Sequence, residues 1–238
     1  AQTASDVEFS REMEGYLPRS LGTNLDKLRS FPKFVPRQTL SQFLAKHAIF
    51  QHVLGVHGHI MECGVHLGGG LMTWAQLSAI FEPVNHVRRI VGFDTFTGFV
   101  ELHAKDKGDN MQCARPGGLA THAEEDVRRA IALYDLNRPI GHVPRVELAV
   151  GDARHTIPQY VDDNPHLVVA MLYLDFDLYE PTKVALETFL PRMPRGAGLA
   201  FDELDYAPWP GETLATLETV GLRNLRLQRV PYASSISY

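Results

Sequence analysis

Five carboxylate positions in this chain share one local setting, the end of a short apolar run. Glu62 lies near the tip of the first run, His59 to Gly64, and Asp94 closes Arg89-Ile90-Val91-Gly92-Phe93. Asp152 follows the run Arg145 to Val150 across a glycine, Asp175 ends the run that starts at His166, and Asp202 with Glu203 ends Gly198-Leu199-Ala200-Phe201. A strand-end acid is often only a turn former or a helix N-cap, and any one of these reads equally well that way. Five along one sheet edge would crowd negative charge unless cations or hydroxyl donors sat among them. Carboxylates so placed can accept hydrogen bonds from ribose hydroxyls or an amine, face a cationic ligand, or give hard oxygens to Mg²⁺.

The first of these runs carries the strongest local signal. Glu62-Cys63-Gly64-Val65-His66-Leu67-Gly68-Gly69-Gly70 reads as a buried strand, a tight turn and the start of a helix near 69–81. Its glycine spacing is not G-x-G-x-x-G, and the Lys-Ser/Thr of a phosphate loop is missing, so neither nucleotide fingerprint applies. An acid at this tip would repel a pyrophosphate and suits a ligand with an ammonium and a sulfonium, such as S-adenosylmethionine. Glu62 would then order the glycine turn and face the methionine ammonium, with Gly64 and Val65 beside it. Asp94, 30 residues past Gly64, would accept from both ribose hydroxyls, with Thr95 adjoining, and Asp152 with Ala153 would meet the adenine. Asp175, Asp202 and Glu203 would offer oxygens to Mg²⁺.

Elements that alternate strand and helix must hold these tips. A helix from Arg37 to Leu54 ends at Gly55, and strands follow near 59–64, 89–94, 145–150, 166–175 and 198–203. The pattern is α/β, a doubly wound, mostly parallel sheet whose ligands bind at the carboxyl ends of the strands. A capping box at Thr121-His122-Ala123-Glu124 opens a helix with Val127, Ala130, Ile131 and Tyr134 on one face. A helix opens after Pro181, a last helix follows Trp209-Pro210-Gly211-Glu212, and short strands near 223–229 and 232–237 close the chain. Residues 1–36, polar and interrupted by Pro18, Pro32 and Pro36, form an N-terminal helical arm ordered only where it docks, and the main domain spans 37–238. The span 98–120 has no periodicity and reads as a lid hinged at Gly108, Gly117 and Gly118.

The 238 residues fit one sizeable domain, and a net charge of −5 provides no basic field for nucleic acid. No apolar run reaches a membrane span, the N-terminus lacks a signal-peptide core, and only Cys63 and Cys113 are present. A cytoplasmic protein without disulfides and without a membrane partner is the simplest expectation, with homo-oligomerisation left open. With Ala1 rather than Met at its head, the chain reads as processed or trimmed.

The segments MECGVHLGGG, VGFDTFTGF, VGDARHTIP, LYLDFDLYEPT and FDELDYAPWPGE resemble, in order, the macrocin O-methyltransferase family of natural-product sugar methyltransferases. The resemblance runs from about residue 37 to about 215. It implies the class I S-adenosylmethionine-dependent, Rossmann-like fold, seven strands with the last reversed, and a Mg²⁺ that binds vicinal sugar hydroxyls. By motif, Asp94 matches the ribose-binding acid, Asp152 the adenine contact, and Asp175, Asp202 and Glu203 the metal triad. The pair Asp202-Glu203 departs from the family's usual Asp-Asp or Asp-Asn. The family's catalytic histidine lies in the loop matching 98–120, which makes His103 and His122 candidates beside Asp175. The expected activity is methylation of a deoxysugar hydroxyl in a nucleotide-linked or glycosylated metabolite. A small phenol or catechol acceptor, or a silent nucleotide-binding scaffold, are the alternatives.

Overall fold

The computed structural model describes residues 3–108, 112–233 and 235–238, so residues 109–111 of the expected lid and 234 of the expected last strand lie outside the described residues. Two compact units divide the chain, Ala1–Ser41 and Gln42–Tyr238.

The first unit is helical because it is capped, despite its prolines. Helices α1 (Ala4–Arg19) and α2 (Asn24–Arg29) each open on a capping box, Thr3 with Asp6 and Thr23 with Asp26. In each box the threonine hydroxyl accepts from the aspartate amide at 3.2 Å and the aspartate accepts from the threonine amide at 2.9 Å. Neither helix buries a residue.

In the second unit, helix α3 (Arg37–Val53, its start in the first unit) leads to β1 (His59–Cys63), α4 (Gly69–Phe81), β2 (Ile90–Asp94) and α5 (Glu124–Leu136). Then come β3 (Val146–Val150), α6 (Ala153–Asp163), β4 (Val169–Leu174), α7 (Tyr179–Phe189), β5 (Gly198–Phe201) and α8 (Gly211–Thr219). All strand pairings are parallel, in the order β3-β2-β1-β4-β5. Alternation along the strands feeds two apolar layers: Ile60, Met171 and Tyr173 join one face with Trp74 and Phe50, and Met61, Leu172 and Leu174 join the other with Ile157 and Phe189.

Two expectations change. Among the described residues the sheet has five strands rather than seven. The C-terminal residues return beside β5 through the isolated antiparallel bridges Phe201↔Ser237 and Arg229↔Ser237. Leu222–Asn224 take a 3-10 turn, and Pro231, which has no N–H to donate, interrupts the rest. The capping box at Thr121 is absent as well: α5 starts from Ala123 with no side-chain cap, and the Thr121 hydroxyl accepts from the Ala123 amide instead.

Candidate active site

Strand order reverses at β1, with β2 and β3 on one side and β4 and β5 on the other, which places the switch-point crevice between the tips of β1 and β4. There Asp175 N–H donates to the Cys63 carbonyl at 2.8 Å, and Gly64 (φ +102°) leaves no room for a Cβ, which would run into the Asp175 carbonyl oxygen. A cavity of about 430 Å³ opens at this edge, lined among others by Gly64, Asp94, Asp152, Asp175, Asp177 and Glu203.

On the β1–β3 side the acids are already paired. Asp94 Oδ2 accepts from the amides of Val65 (2.7 Å) and His66 (2.8 Å), and Oδ1 accepts from Phe96 N–H at 2.7 Å. Three of its roughly four acceptor sites are thus spent on the loops after β1 and β2. His66 and Phe96 hold left-handed backbones, φ +52° and +56°, stabilised by these bonds. Asp152 caps α6 and grips its own neighbour: Arg154 Nε and Nη2 donate to Oδ2 at 2.9 and 2.7 Å, and the Arg154 amide donates to Oδ1 at 2.9 Å. Burial pushes the Asp152 carboxyl up, but the hydrogen bonds from Arg154 outweigh it and hold it below the ordinary aspartate value. Thr95, Ala153 and His66 also line the cavity.

Glu62 and Val65 are placed differently from expectation. Glu62 is absent from the cavity wall; fully buried, it accepts from Trp74 Nε1 and pairs with Lys46 Nζ at 3.8 Å. The cause is strand parity, which turns its side chain toward the layer of Trp74 and Tyr173 and toward Gly70, where no Cβ could fit. Val65 packs into the core and serves Asp94 through its amide.

The β4–β5 side is a cluster of carboxylates with few donors. Burial first, then the Asp202 charge, pushes the Asp175 carboxyl well above its ordinary value, against the pull of Lys46. Asp202 accepts from Tyr173 Oη at 2.6 Å. Asp177, in a left-handed backbone at φ +62°, can share a hydrogen bond with Glu203 when one of the two is protonated, and Glu203 Oε2 is otherwise buried without a partner. Burial raises Asp177 to about 6, partly offset by that bond. It raises Glu203 to about 8, reinforced by the Asp177 charge and the bond. Glu212, fully buried at the start of α8, accepts from the Glu203 amide at 3.2 Å while its Oε2 has no partner. Among the described residues no three His, Cys, Asp or Glu side chains gather in a metal-holding arrangement. Asp175, Asp202 and Glu203 are therefore neighbours in charge but not a formed triad, since Tyr173 engages Asp202 and Asp177 engages Glu203.

Neither candidate histidine lines the cavity. His122 is exposed in a turn at φ +52°. His103 caps the 3-10 turn Ala104–Asp106, its Nδ1 accepting from the Lys105 amide at 3.1 Å, and stacks on Tyr179 at 4.9 Å. Its Nε2 lies 3.8 Å from Glu180, which does reach the wall. The span 98–120 is pinned at both ends of its first half. Phe99 bonds Gly118 and Gly117 and meets Trp209 edge-on at 5.4 Å, and buried Asp106 accepts from the first amide of α7, Tyr179 N–H, at 2.6 Å. Two of the expected hinges are packed against backbone: a Cβ on Gly108 would meet the Pro208 carbonyl and one on Gly118 the Cys113 carbonyl. Arg154 and Glu101 were not singled out from sequence, although an arginine two residues after an N-cap aspartate is a readable signal.

The macrocin-O-methyltransferase family pattern matches residues 34–226. A solved structure of the calicheamicin methyltransferase CalS11 is 35% identical, with a TM-score of 0.95 over 100% of this chain and 93% of that one. Its apo form, described as a TDP-rhamnose 3'-O-methyltransferase of calicheamicin biosynthesis, superposes with a TM-score of 0.84 at 35% identity, covering 100% of this chain and 94% of that one. The 8-demethyl-8-(2,3-dimethoxy-alpha-L-rhamnosyl)-tetracenomycin-C 4'-O-methyltransferase of Streptomyces olivaceus is 32% identical over 158 residues, 64% of this chain. The match spans about half, 54%, of the length of that curated relative.

Proposed function

The chain belongs to the macrocin-O-methyltransferase family, and from that premise we propose that it is an S-adenosylmethionine-dependent O-methyltransferase. Its acceptor is a hydroxyl of a deoxysugar in a nucleotide-linked or glycosylated natural product, the class of substrate that the names of its relatives describe. The observation that carries the reading is a cavity at the switch point of a parallel sheet walled by carboxylates. That wall fits a cation and disfavours a phosphate.

S-adenosylmethionine, when bound, supplies a methyl group on a positively charged sulfur. Gly64, Asp94, Thr95 and Ala153 would hold it at the tips of β1, β2 and β3, with Asp94 keeping one acceptor site free for a ribose hydroxyl and Asp152 holding Arg154 beside them. The acceptor hydroxyl must lose a proton. In place of the two histidines, Asp177 takes that role, because it lines the cavity and its carboxyl sits near 6, ionised at neutral pH yet basic enough to work. Glu203 holds the neighbouring proton and donates to Asp177, fixing its orientation. Phe176, Leu178 and Trp209 give the wall an apolar side that excludes water from the reacting atoms.

A divalent cation, Mg²⁺, is the other way to relieve this cluster: Asp175, Asp202 and Glu203 would hold it, with Glu203 giving up its proton to do so. Their hard oxygens suit the ion, and the burial that raises Asp175, with the Asp202 charge adding to it, is what a bound cation would offset. When bound it would lower the pKa of a coordinated sugar hydroxyl. The test is a methyl-transfer screen with S-adenosylmethionine against sugar, nucleotide-sugar and phenol panels, with Mg²⁺ and with chelator. Transfer to sugars is expected; transfer to phenols alone would overturn the acceptor, and none in any panel the activity.

A further inference from the structure

We propose that Arg154 and Glu101 form a latch that holds the segment Phe99–Asp106 over the adenosyl end of the cavity and limits how fast the spent cofactor leaves. The inference rests on the cofactor reading above. Arg154 Nη1 donates to Glu101 Oε2 at 3.0 Å, a contact 53 residues apart in sequence that joins the lid span to the start of α6. Both residues line the cavity, and Arg154 is the only lysine or arginine to do so among the described residues.

The pairing has a fixed half and a free half. Asp152 holds the Nε–Nη2 edge of the guanidinium, which leaves Nη1 aimed at the loop. Such a bidentate grip orients the arginine in advance, so little further rotamer entropy is lost when Glu101 engages. Asp152 is thereby a bracket for Arg154, with its oxygens already occupied, rather than a free acceptor for adenine. Glu101 is the more exposed partner: its side chain is 71% exposed, against 27% for Arg154. It sits on a short strap between two anchors, Phe99 against Trp209 and Asp106 against the start of α7. The strap can therefore lift at Glu101 without disturbing either anchor, opening the wall beside Asp152 and Ala153.

The test is stopped-flow dissociation of S-adenosylhomocysteine from the full chain over a series of salt concentrations. An exposed ion pair contributes about 0.2–1 kcal/mol. Glu101→Gln should therefore speed dissociation by a factor of about 1.4 to 5 at low salt. Wild-type dissociation should accelerate with salt, as a screened ion pair weakens, and the variant should lose most of that slope. Glu101→Asp, which keeps the charge, should recover part of the slope. A Glu101→Gln protein with wild-type rate and slope would overturn the latch and leave the cofactor reading standing. Failure of the wild-type protein to bind S-adenosylhomocysteine at all would overturn both.

Discussion

The two halves of the sheet edge treat the same chemical group in opposite ways. At the tips of β1, β2 and β3, each acid has its donors built in: Lys46 and Trp74 for Glu62, three amides for Asp94, Arg154 for Asp152. At the tips of β4 and β5, Asp175, Asp177, Asp202, Glu203 and Glu212 face one another, with one tyrosine hydroxyl and one amide among them. Satisfied carboxylates make a rigid, preorganised wall. Unsatisfied ones store repulsion and shifted proton affinities, the property expected where a proton moves or a cation binds. One half is built to hold, the other to react.

The sharpest way to break this contrast is to neutralise the reacting half. Asp177→Asn should lower kcat by about 10²–10⁴, the usual contribution of a positioned base, with S-adenosylhomocysteine affinity little changed in calorimetry. An Asp177→Asn enzyme with full turnover would remove the base. Asp175→Asn should also abolish turnover, and chelator should do so in the wild type if a cation is held there. Activity that survives chelator while Asp175→Asn stays inactive would confine the role of Asp175 to electrostatics.

A smaller effect is expected in the holding half. Asp94→Ala frees the part-buried amides of Val65 and Phe96 and the exposed amide of His66, and removes the ribose acceptor, at a cost of about 1–3 kcal/mol in all, since the His66 amide can turn to water. Cofactor affinity and melting temperature should fall together, because the same carboxylate fastens the loops and meets the ligand. A loss of affinity with unchanged melting temperature would assign Asp94 to the ribose alone.

The elements were legible because periodicity reports burial: strand starts and ends fall within a few residues of the positions read from the apolar runs, and α4 within the range read for it. The acids at the tips were legible for the same reason, since a strand that stops must turn. Their partners were not. Lys46 lies 16 residues before Glu62, on helix α3 rather than on β1, and Glu101 lies 53 residues before Arg154, so nothing in local spacing announces either pairing. Glu62 was misplaced because an acid near a strand tip faces either the crevice or a helix layer according to parity, and a tip position alone leaves parity open. The seven-stranded sheet came from the resemblance, and the segment after residue 222 has too many arginines and too little alternation to pair as full strands.

The finest test of the contrast is pH. The Glu203 carboxyl has an ordinary value of 4.5 and is raised to about 8 in the fold, by burial first and then by Asp177. Below pH 4.5 both the folded and the unfolded chain hold this proton, and its contribution to stability is fully present. As pH rises toward 8 the unfolded chain releases the proton while the fold keeps it, so stability falls. The wild-type melting temperature should therefore drop relative to that of Glu203→Gln across this window, since glutamine retains a donor to Asp177 and cannot ionise. Parallel curves for the two proteins would show that Glu203 and Asp177 share no proton. Adding Mg²⁺ at pH 8 separates the two ways of relieving the cluster. If a cation takes over from the proton, the metal should raise the wild-type melting temperature and leave that of Asp175→Asn unmoved. If Mg²⁺ moves neither, the reacting half of the edge is balanced by protons alone, and its chemistry rests on Asp177.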